Sequence, residues 1–386
     1  MSKPKHADLA RPDLGEFARH ELALLGAPCG DIQHLAAALT AALGPGYRVG
    51  YVDADHASAD ADPAAAQSQL LRAGAAVELT DKIYFLRRDE PRGLNRFSQT
   101  ELLAGADLVL VNGNHFPARQ QLVLIDPRKT LAHKLEKLTD VRALVLADGV
   151  SELPDYLRAH LGPAAGTLPR FALADVAGLS AWLRQWRAAR VAPLRGLVLA
   201  GGLSQRMQTD KSRLRYGGPQ ALEQREVAAG LLAEVCADVF VSCRAEQVGE
   251  MPSHLLPLPD TFLGLGPLGG ILSAFRHDPN AAWLVLACDL PFLTADVLRQ
   301  LVAGRASGRL ATAFQSPRNE FPEPLITIFE PRAHPELLRF LSLGYSCPRK
   351  MLINSDVAVL LTPGGEALRN VNTPEERAAA QGALGR

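Results

Sequence analysis

LVLAGGLSQRMQTDK, residues 197–211, runs an apolar strand straight into two glycines and then sets out Arg206, Asp210 and Lys211 on the following loop. In an open parallel sheet, ligands bind beyond the carboxyl ends of the strands, which is where Gly201 and Gly202 fall. Lacking side chains, both glycines let backbone amides approach a phosphate or a nucleobase closely. Arg206 and Lys211 add positive charge on the same loop, so a polyphosphate would meet both geometry and counter-charge. A glycine pair after a strand also serves as an ordinary tight turn into a helix, so the rest of the chain has to decide.

The same alternation recurs along the sequence. RVGYVDA, DLVLVNG, QLVLID, ALVLAD, GLVLAGG, DVFVSC and WLVLACD are short β-like runs separated by stretches rich in alanine and leucine with helical spacing. Strands spaced by helices predict α/β architecture with parallel sheets covered on both faces. At 386 residues, and with domains typically of about 100–200 residues, the chain should form two doubly wound domains. The boundary is placed in WLRQWRAARVAPLRG, residues 182–196, where a helical pattern ends, Pro193 intervenes and a strand begins. The expected domains are therefore residues 1–190 and 195–386. HLGPAAGTLPR, residues 160–170, reads as a loop within the first, and no repeat of 20–50 residues is present.

Composition excludes several classes of function. Lys and Arg total 41, as do Asp and Glu, so there is no global basic field of the kind that non-specific nucleic-acid binding needs. The five cysteines (Cys29, Cys236, Cys243, Cys288 and Cys347) form no CxxC pair and read as reduced, mostly buried thiols. No apolar run approaches the roughly 18–20 residues that span a bilayer. MSKPKHADLARPDLGEF carries charge throughout and lacks the apolar core of a secretory signal. The expectation is a cytoplasmic protein without membrane or nucleic-acid partners.

LAGGxSxRMxxDK, followed in order by VFVSCRAEQ, LPDTFLGLGPLGGI, LVLACDLPFL, PEPLITIFEP and RNVNTPEE, resembles the signature of the molybdenum cofactor guanylyltransferases over about residues 195–380. The resemblance implies a Rossmann-like nucleotidyltransferase domain of the GT-A type. Nucleotidyl transfer is in-line attack on an α-phosphate with pyrophosphate leaving, so catalysis is mostly positioning and charge neutralisation. Asp289, at the end of an apolar strand in LACDLP, is an acid that needs a partner, and Mg²⁺ is the usual one; a helix cap or a structural acid is the alternative. By resemblance, Leu199, Ala200, Gly201 and Gly202 would lie against the nucleotide and Lys211 would meet its phosphates. Asp260 would help fix base or ribose, Ser242 would add a nucleotide contact, and Asp289 would hold the metal. Asn372 would offer the metal a second oxygen or cap the helix that follows. Arg206 would contact the leaving pyrophosphate or form a surface salt bridge.

Gln208 stands where the family usually has glycine, which would alter the loop if positive φ is needed there. GPLGGI, residues 266–271, suits either approach of substrate to a helix N-terminus or close packing of that helix. FPEPLITIF and GYSCPRK are candidates to meet the acceptor. Arg349 and Lys350 would engage a phosphate there or form a solvated basic pair.

The first domain opens on LALLGAPCGDIQHL, which begins like a strand entering a P-loop but fails GxxxxGK[ST]. Gly26 and Gly30 are followed by Asp31 and Ile32 where lysine and a hydroxyl residue should be, and an acid there repels phosphate. YVDADH, LLRAGAAVELTD, ADLVLVNGNHF, LVLIDPRK and VRALVLADG nonetheless resemble the molybdopterin-guanine dinucleotide adaptor family, a P-loop fold, over about residues 20–187. Asn112 replaces the family's glutamate. The implied domain is a pseudo-P-loop scaffold that does not hydrolyse nucleotide. Asp53, Asp55 and His56 after one strand, and Asn112, Asn114 and His115 after another, are either a metal or anion site or a set of loop hydrogen bonds. Its helices also offer a dimer or partner surface.

The resulting expectation is an enzyme that transfers GMP from GTP to the molybdopterin form of the molybdenum cofactor, with Mg²⁺ as cofactor and an apo-molybdoenzyme or a cofactor-biosynthesis protein as a further partner. A cytidylyl- or sugar-phosphate nucleotidyltransferase of the same fold, and a non-catalytic cofactor carrier, are the competing readings.

Overall fold

The computed structural model describes residues 8–54, 67–91, 93, 95–201, 210–218, 220–361, 364 and 366–384. Two compact units divide the chain, residues 13–190 and residues 191–386, the second joined by the N-terminal segment through Pro12. Within that second unit Asn280 Nδ2 donates to the Arg11 carbonyl at 3.2 Å.

The first unit is built on a six-stranded sheet ordered β2-β5-β1-β6-β7-β8, every neighbouring pair parallel. These strands are β1 (Glu21–Leu25), β2 (Val49–Val52), β5 (Leu108–Asn112), β6 (Gln121–Ile125), β7 (Val141–Leu146) and β8 (Arg170–Ala172). All five residues of β1 are buried, and the period of two in a strand decides where each goes. Leu22 and Leu24 join Ile32, Leu35 and Leu39 of the helix Cys29–Leu43 on one face. Ala23 and Leu25 join Leu144, Leu153 and Leu157 on the other. A sheet buried on both sides is what near-continuous apolar runs require. A separate antiparallel ribbon, β3 (Glu78–Asp81) with β4 (Leu86–Asp89), has no counterpart among the strands expected from sequence.

The second unit carries a seven-stranded sheet in the order β11-β10-β9-β12-β14-β13-β15. Its strands are β9 (Leu194–Leu199), β10 (Val239–Cys243), β11 (Leu256–Pro259), β12 (Ala282–Ala287), β13 (Ala311–Gln315), β14 (Pro322–Phe329) and β15 (Val357–Leu360). β12, buried along its whole length, sends Ala282, Leu284 and Leu286 to one core and Trp283 and Val285 to the other. Each such leucine contributes about 1.5–3 kcal/mol by leaving water.

One expectation needs correction here: the sheet is mixed. β14 runs antiparallel to both β12 and β13. Only the short turn after Gln315 separates β13 from β14, and a parallel crossover needs a dozen or more residues, so the chain can only return as a hairpin. PEPLITIF is thus an interior strand, paired on both sides.

Candidate active site

β9, flanked by β10 and β12, ends at Leu199. Ala200 N continues the pairing by donating to the Ser242 carbonyl at 3.1 Å. Gly201 then passes so near the neighbouring strand end that a Cβ on it would lie 3.1 Å from Asp260 Oδ2 and 3.5 Å from Cys243 Cα. Leu199, Ala200, Gly201, Ser242 and Asp260 therefore converge at the carboxyl ends of β9, β10 and β11. Gly202, Arg206 and Gln208 lie outside the described residues.

Ser242 donates its hydroxyl to Asp260 Oδ1 at 2.7 Å. Burial pushes the Asp260 carboxyl up from its usual range, and the Ser242 hydrogen bond works against that shift. Room for this pair comes from the helix Pro267–His277. A Cβ on Gly270 would come within 2.5 Å of Ser242 Oγ, and one on Gly269 within 2.3 Å of the Phe262 carbonyl. The glycines of GPLGGI thus pack the helix against β10 and the loop after β11. Ser273 holds that loop, its Oγ accepting from Thr261 N at 2.8 Å and donating to the Gly269 carbonyl.

Across the strand ends, Lys211 opens a short helical turn whose first residues are fixed by Asp210. Asp210 Oδ1 accepts from Ser212 N and Ser212 Oγ, at 2.9 and 2.7 Å, and Oδ2 accepts from Gln247 Nε2 at 3.3 Å. So anchored, Lys211 Nζ donates to Asn372 Oδ1 at 2.6 Å and lies 3.7 Å from Asp289 Oδ2. Asp289 follows β12 and accepts from Asn370 Nδ2 at 3.2 Å through its other oxygen, while its carbonyl accepts from Val371 N. The lysine, the acid and the RNVNTPEE segment therefore form one cluster.

Asn372 does not cap the helix Pro374–Leu384. Thr373 Oγ1 accepts from Glu376 N, and the Glu376 carboxylate accepts from Asn372 N and Thr373 N, which is the reciprocal arrangement of a capping box. The Asn372 side chain is left to Lys211. Arg349 turns to the buried Glu323 of β14, 3.4 Å from both its oxygens, instead of presenting its charge as one of a solvated pair.

Sequence reading missed Asn370, Gln247 and Tyr216, and it noted Asp210 without giving it the anchoring role seen here. Burial pushes the Tyr216 phenol up, Arg377 opposes this and Asp289 adds to it. Asn370 had a signal available, because it stands two residues before Asn372 in the same motif.

A family model for the MobA-like NTP transferase domain matches residues 196–357. A probable molybdenum cofactor guanylyltransferase of Nostoc sp. is 33% identical over 195 residues, covering 49% of this chain and 91% of that protein. The chain belongs to the molybdenum cofactor guanylyltransferase family. The matched residues 196–357 lie within its second unit, which carries the cluster described above. A molybdenum cofactor biosynthesis bifunctional protein of Synechocystis sp. is 34% identical over 185 residues, 48% of this chain; the chain spans 52% of that protein. A solved molybdopterin-guanine dinucleotide biosynthesis protein A from Archaeoglobus fulgidus is 24% identical, with a TM-score of 0.42 over 49% of this chain and 97% of that one.

Among the described residues, no group of three His, Cys, Asp or Glu side chains is placed to hold a metal ion. Asp289 and Asn372 offer hard oxygen donors on either side of Lys211, which suits an ion held by one or two carboxylates with water and substrate phosphate completing its shell. None of the described helices is long and apolar enough to cross a membrane.

Proposed function

We propose that this protein transfers the GMP moiety of GTP to the terminal phosphate of the molybdopterin form of the molybdenum cofactor, releasing pyrophosphate. The observation that carries the reading is the Lys211–Asn372 hydrogen bond of 2.6 Å with Asp289 at 3.7 Å from the same ammonium. Three motifs far apart in sequence meet at the end of the strand whose glycine turn receives a nucleotide.

The chain's own residues supply positioning and charge. The backbone of Leu199, Ala200 and Gly201 borders the base, and Gly201 has no Cβ to obstruct it. Asp260, oriented by Ser242, accepts hydrogen bonds from base or ribose. Lys211 neutralises phosphate charge as it grows on the leaving pyrophosphate, exchanging its Asn372 contact for phosphate oxygen. Asp289 and Asn372 would hold Mg²⁺, which supplies charge neutralisation at the phosphates when bound. The acceptor phosphate is already ionised, so no strong general base is required. Arg206 adds a contact to the pyrophosphate. A cytoplasmic setting and delivery of product to an apo-molybdoenzyme complete the proposal.

Pyrophosphate release by purified protein with Mg²⁺ and molybdenum-loaded pterin, run with GTP and CTP in parallel, tests it. Release with GTP and not CTP is expected. Release with CTP alone would move the protein to cytidylyl transfer, and silence with both from folded, pterin-binding protein would favour the carrier reading.

A further inference from the structure

At the carboxyl ends of β1, β2 and β5, far in sequence from the transferase motifs, a second set of reactive side chains converges. Cys29 is the first residue of the helix Cys29–Leu43, and its Sγ lies 3.1 Å from His115 Nε2. The same imidazole nitrogen is 3.9 Å from Asp53 Oδ1. Asp53 is itself fixed by three donors, the Tyr51 hydroxyl at 2.7 Å and Asn112 Nδ2 and Ala54 N each at 2.8 Å. Burial and then the Asp53 carboxylate push the Tyr51 phenol above its usual range, so it stays a donor at neutral pH. Asp53, Asn112, Asn114 and His115 were candidates by sequence; Cys29 joins them in space, while Asp55 and His56 lie outside the described residues.

Two further features surround the thiol. Asn114, only 8% exposed, donates Nδ2 to the Ala27 carbonyl at 3.0 Å and contacts Cys29 Sγ at 3.5 Å. Its Oδ1 is buried with no hydrogen-bond partner among the described residues. A buried acceptor left unpaired beside a half-buried sulfur is costly in the resting protein, and a donor on an incoming molecule would relieve it. Cys29 itself is only partly buried, and Gly30 beside it is exposed.

We propose that Cys29 is a nucleophilic thiol, activated by His115, whose substrate class is small hydroperoxides. The thiol proton passes to His115 Nε2, and Sγ attacks the nearer peroxide oxygen. An S–O bond forms as the O–O bond breaks, and the departing oxygen takes the proton back from His115 and leaves as water or alcohol. Sulfur is oxidised by two electrons, the peroxide is reduced by two, and Cys29 becomes a sulfenic acid whose O–H can donate to Asn114 Oδ1. The other buried cysteines are protected, since burial pushes Cys236 up to about 12 and Cys243 up to about 11, and pushes Cys288 up as well. Cys347 is exposed, and no acceptor like His115 is found for it among the described residues.

The test treats the full chain with equimolar hydrogen peroxide, traps sulfenic acid with dimedone, and reads each cysteine peptide by mass spectrometry. The Cys29 adduct should exceed the Cys347 adduct about tenfold or more, a comparison that needs no variant. His115→Gln, checked for native folding by circular dichroism, should slow labelling of Cys29 about tenfold and leave Cys347 unchanged. Equal or greater labelling of Cys347 in the wild-type chain, or an unchanged Cys29 rate in folded H115Q, would overturn the proposal.

Discussion

Lys211 and Asn372, 161 positions apart, share a hydrogen bond of 2.6 Å, with Asp289 3.7 Å from the same ammonium. The pairing sets a charged donor at the end of β9 and holds it there between an amide and a carboxylate. A lysine so placed is pre-oriented before any phosphate arrives, which is the condition under which charge stabilisation accelerates a reaction most.

Lys211→Met should therefore lower kcat by about 100- to 1,000-fold, the usual loss when one preorganised donor is removed from a developing charge. Its melting temperature should stay close to that of the wild type, because the side chain is partly exposed and not part of the apolar cores. Steady-state kinetics beside a thermal melt checks both; loss of turnover only through unfolding would count against the role.

Asp289→Ala should abolish Mg²⁺-dependent turnover. Asn370→Ala removes one donor to that carboxylate and should weaken the apparent Mg²⁺ affinity about 10- to 100-fold, as changes to groups that orient metal ligands do. Titrating Mg²⁺ against initial rate separates the two. Near-normal activity in Asp289→Ala would remove this carboxylate from the metal site.

The glycine turn after β9 and the acid after β12 were legible because each is a local pattern, an apolar run closed by residues that only a strand end tolerates. The contacts that complete the site were not. Asn370 and Asp289 lie 81 positions apart, and only the course of the chain after β15 brings them together. The antiparallel course of β14 was not legible, because a mostly buried strand shows no alternation and nothing in FPEPLITIF sets its direction. Cys29 was read only as a reduced, mostly buried thiol for the same reason that Asn370 was missed: its partner, His115, is 86 positions away.

Asp260 yields a pH-dependent prediction. Its folded carboxyl is pushed up, chiefly by burial, so between the unfolded and folded pKa values the native state binds the extra proton. The group's contribution to stability is fully present below the unfolded value and is lost as pH rises through the folded one. Asp260→Asn carries no such titration, so its melting temperature relative to the wild type should climb from pH about 4 to pH about 7. A flat difference over that range, measured by scanning calorimetry, would show that the carboxyl is not raised.

Gly270→Ala tests how the packing of one helix serves the site. Alanine is the better helix former by about 1 kcal/mol, yet its Cβ would fall 2.5 Å from Ser242 Oγ and 2.8 Å from Leu199 Cδ2. Overpacking should win, costing about 1–3 kcal/mol. It should also raise KM for the nucleotide by turning the Ser242 hydroxyl away from Asp260. Urea unfolding with nucleotide titration reads both effects, and a stabilised variant with unchanged KM would contradict the packing argument.

The most direct measurement follows the nucleotide's phosphates, using GTP labelled either at the α- or at the γ-phosphate with molybdenum-loaded pterin as acceptor. The account predicts that α-label appears in the pterin product while γ-label leaves as pyrophosphate, and that Lys211→Met suppresses both. Label from the γ-phosphate released as orthophosphate, with none of the α-label on the pterin, would make the protein a nucleotide hydrolase and contradict nucleotidyl transfer at the Lys211–Asp289 cluster.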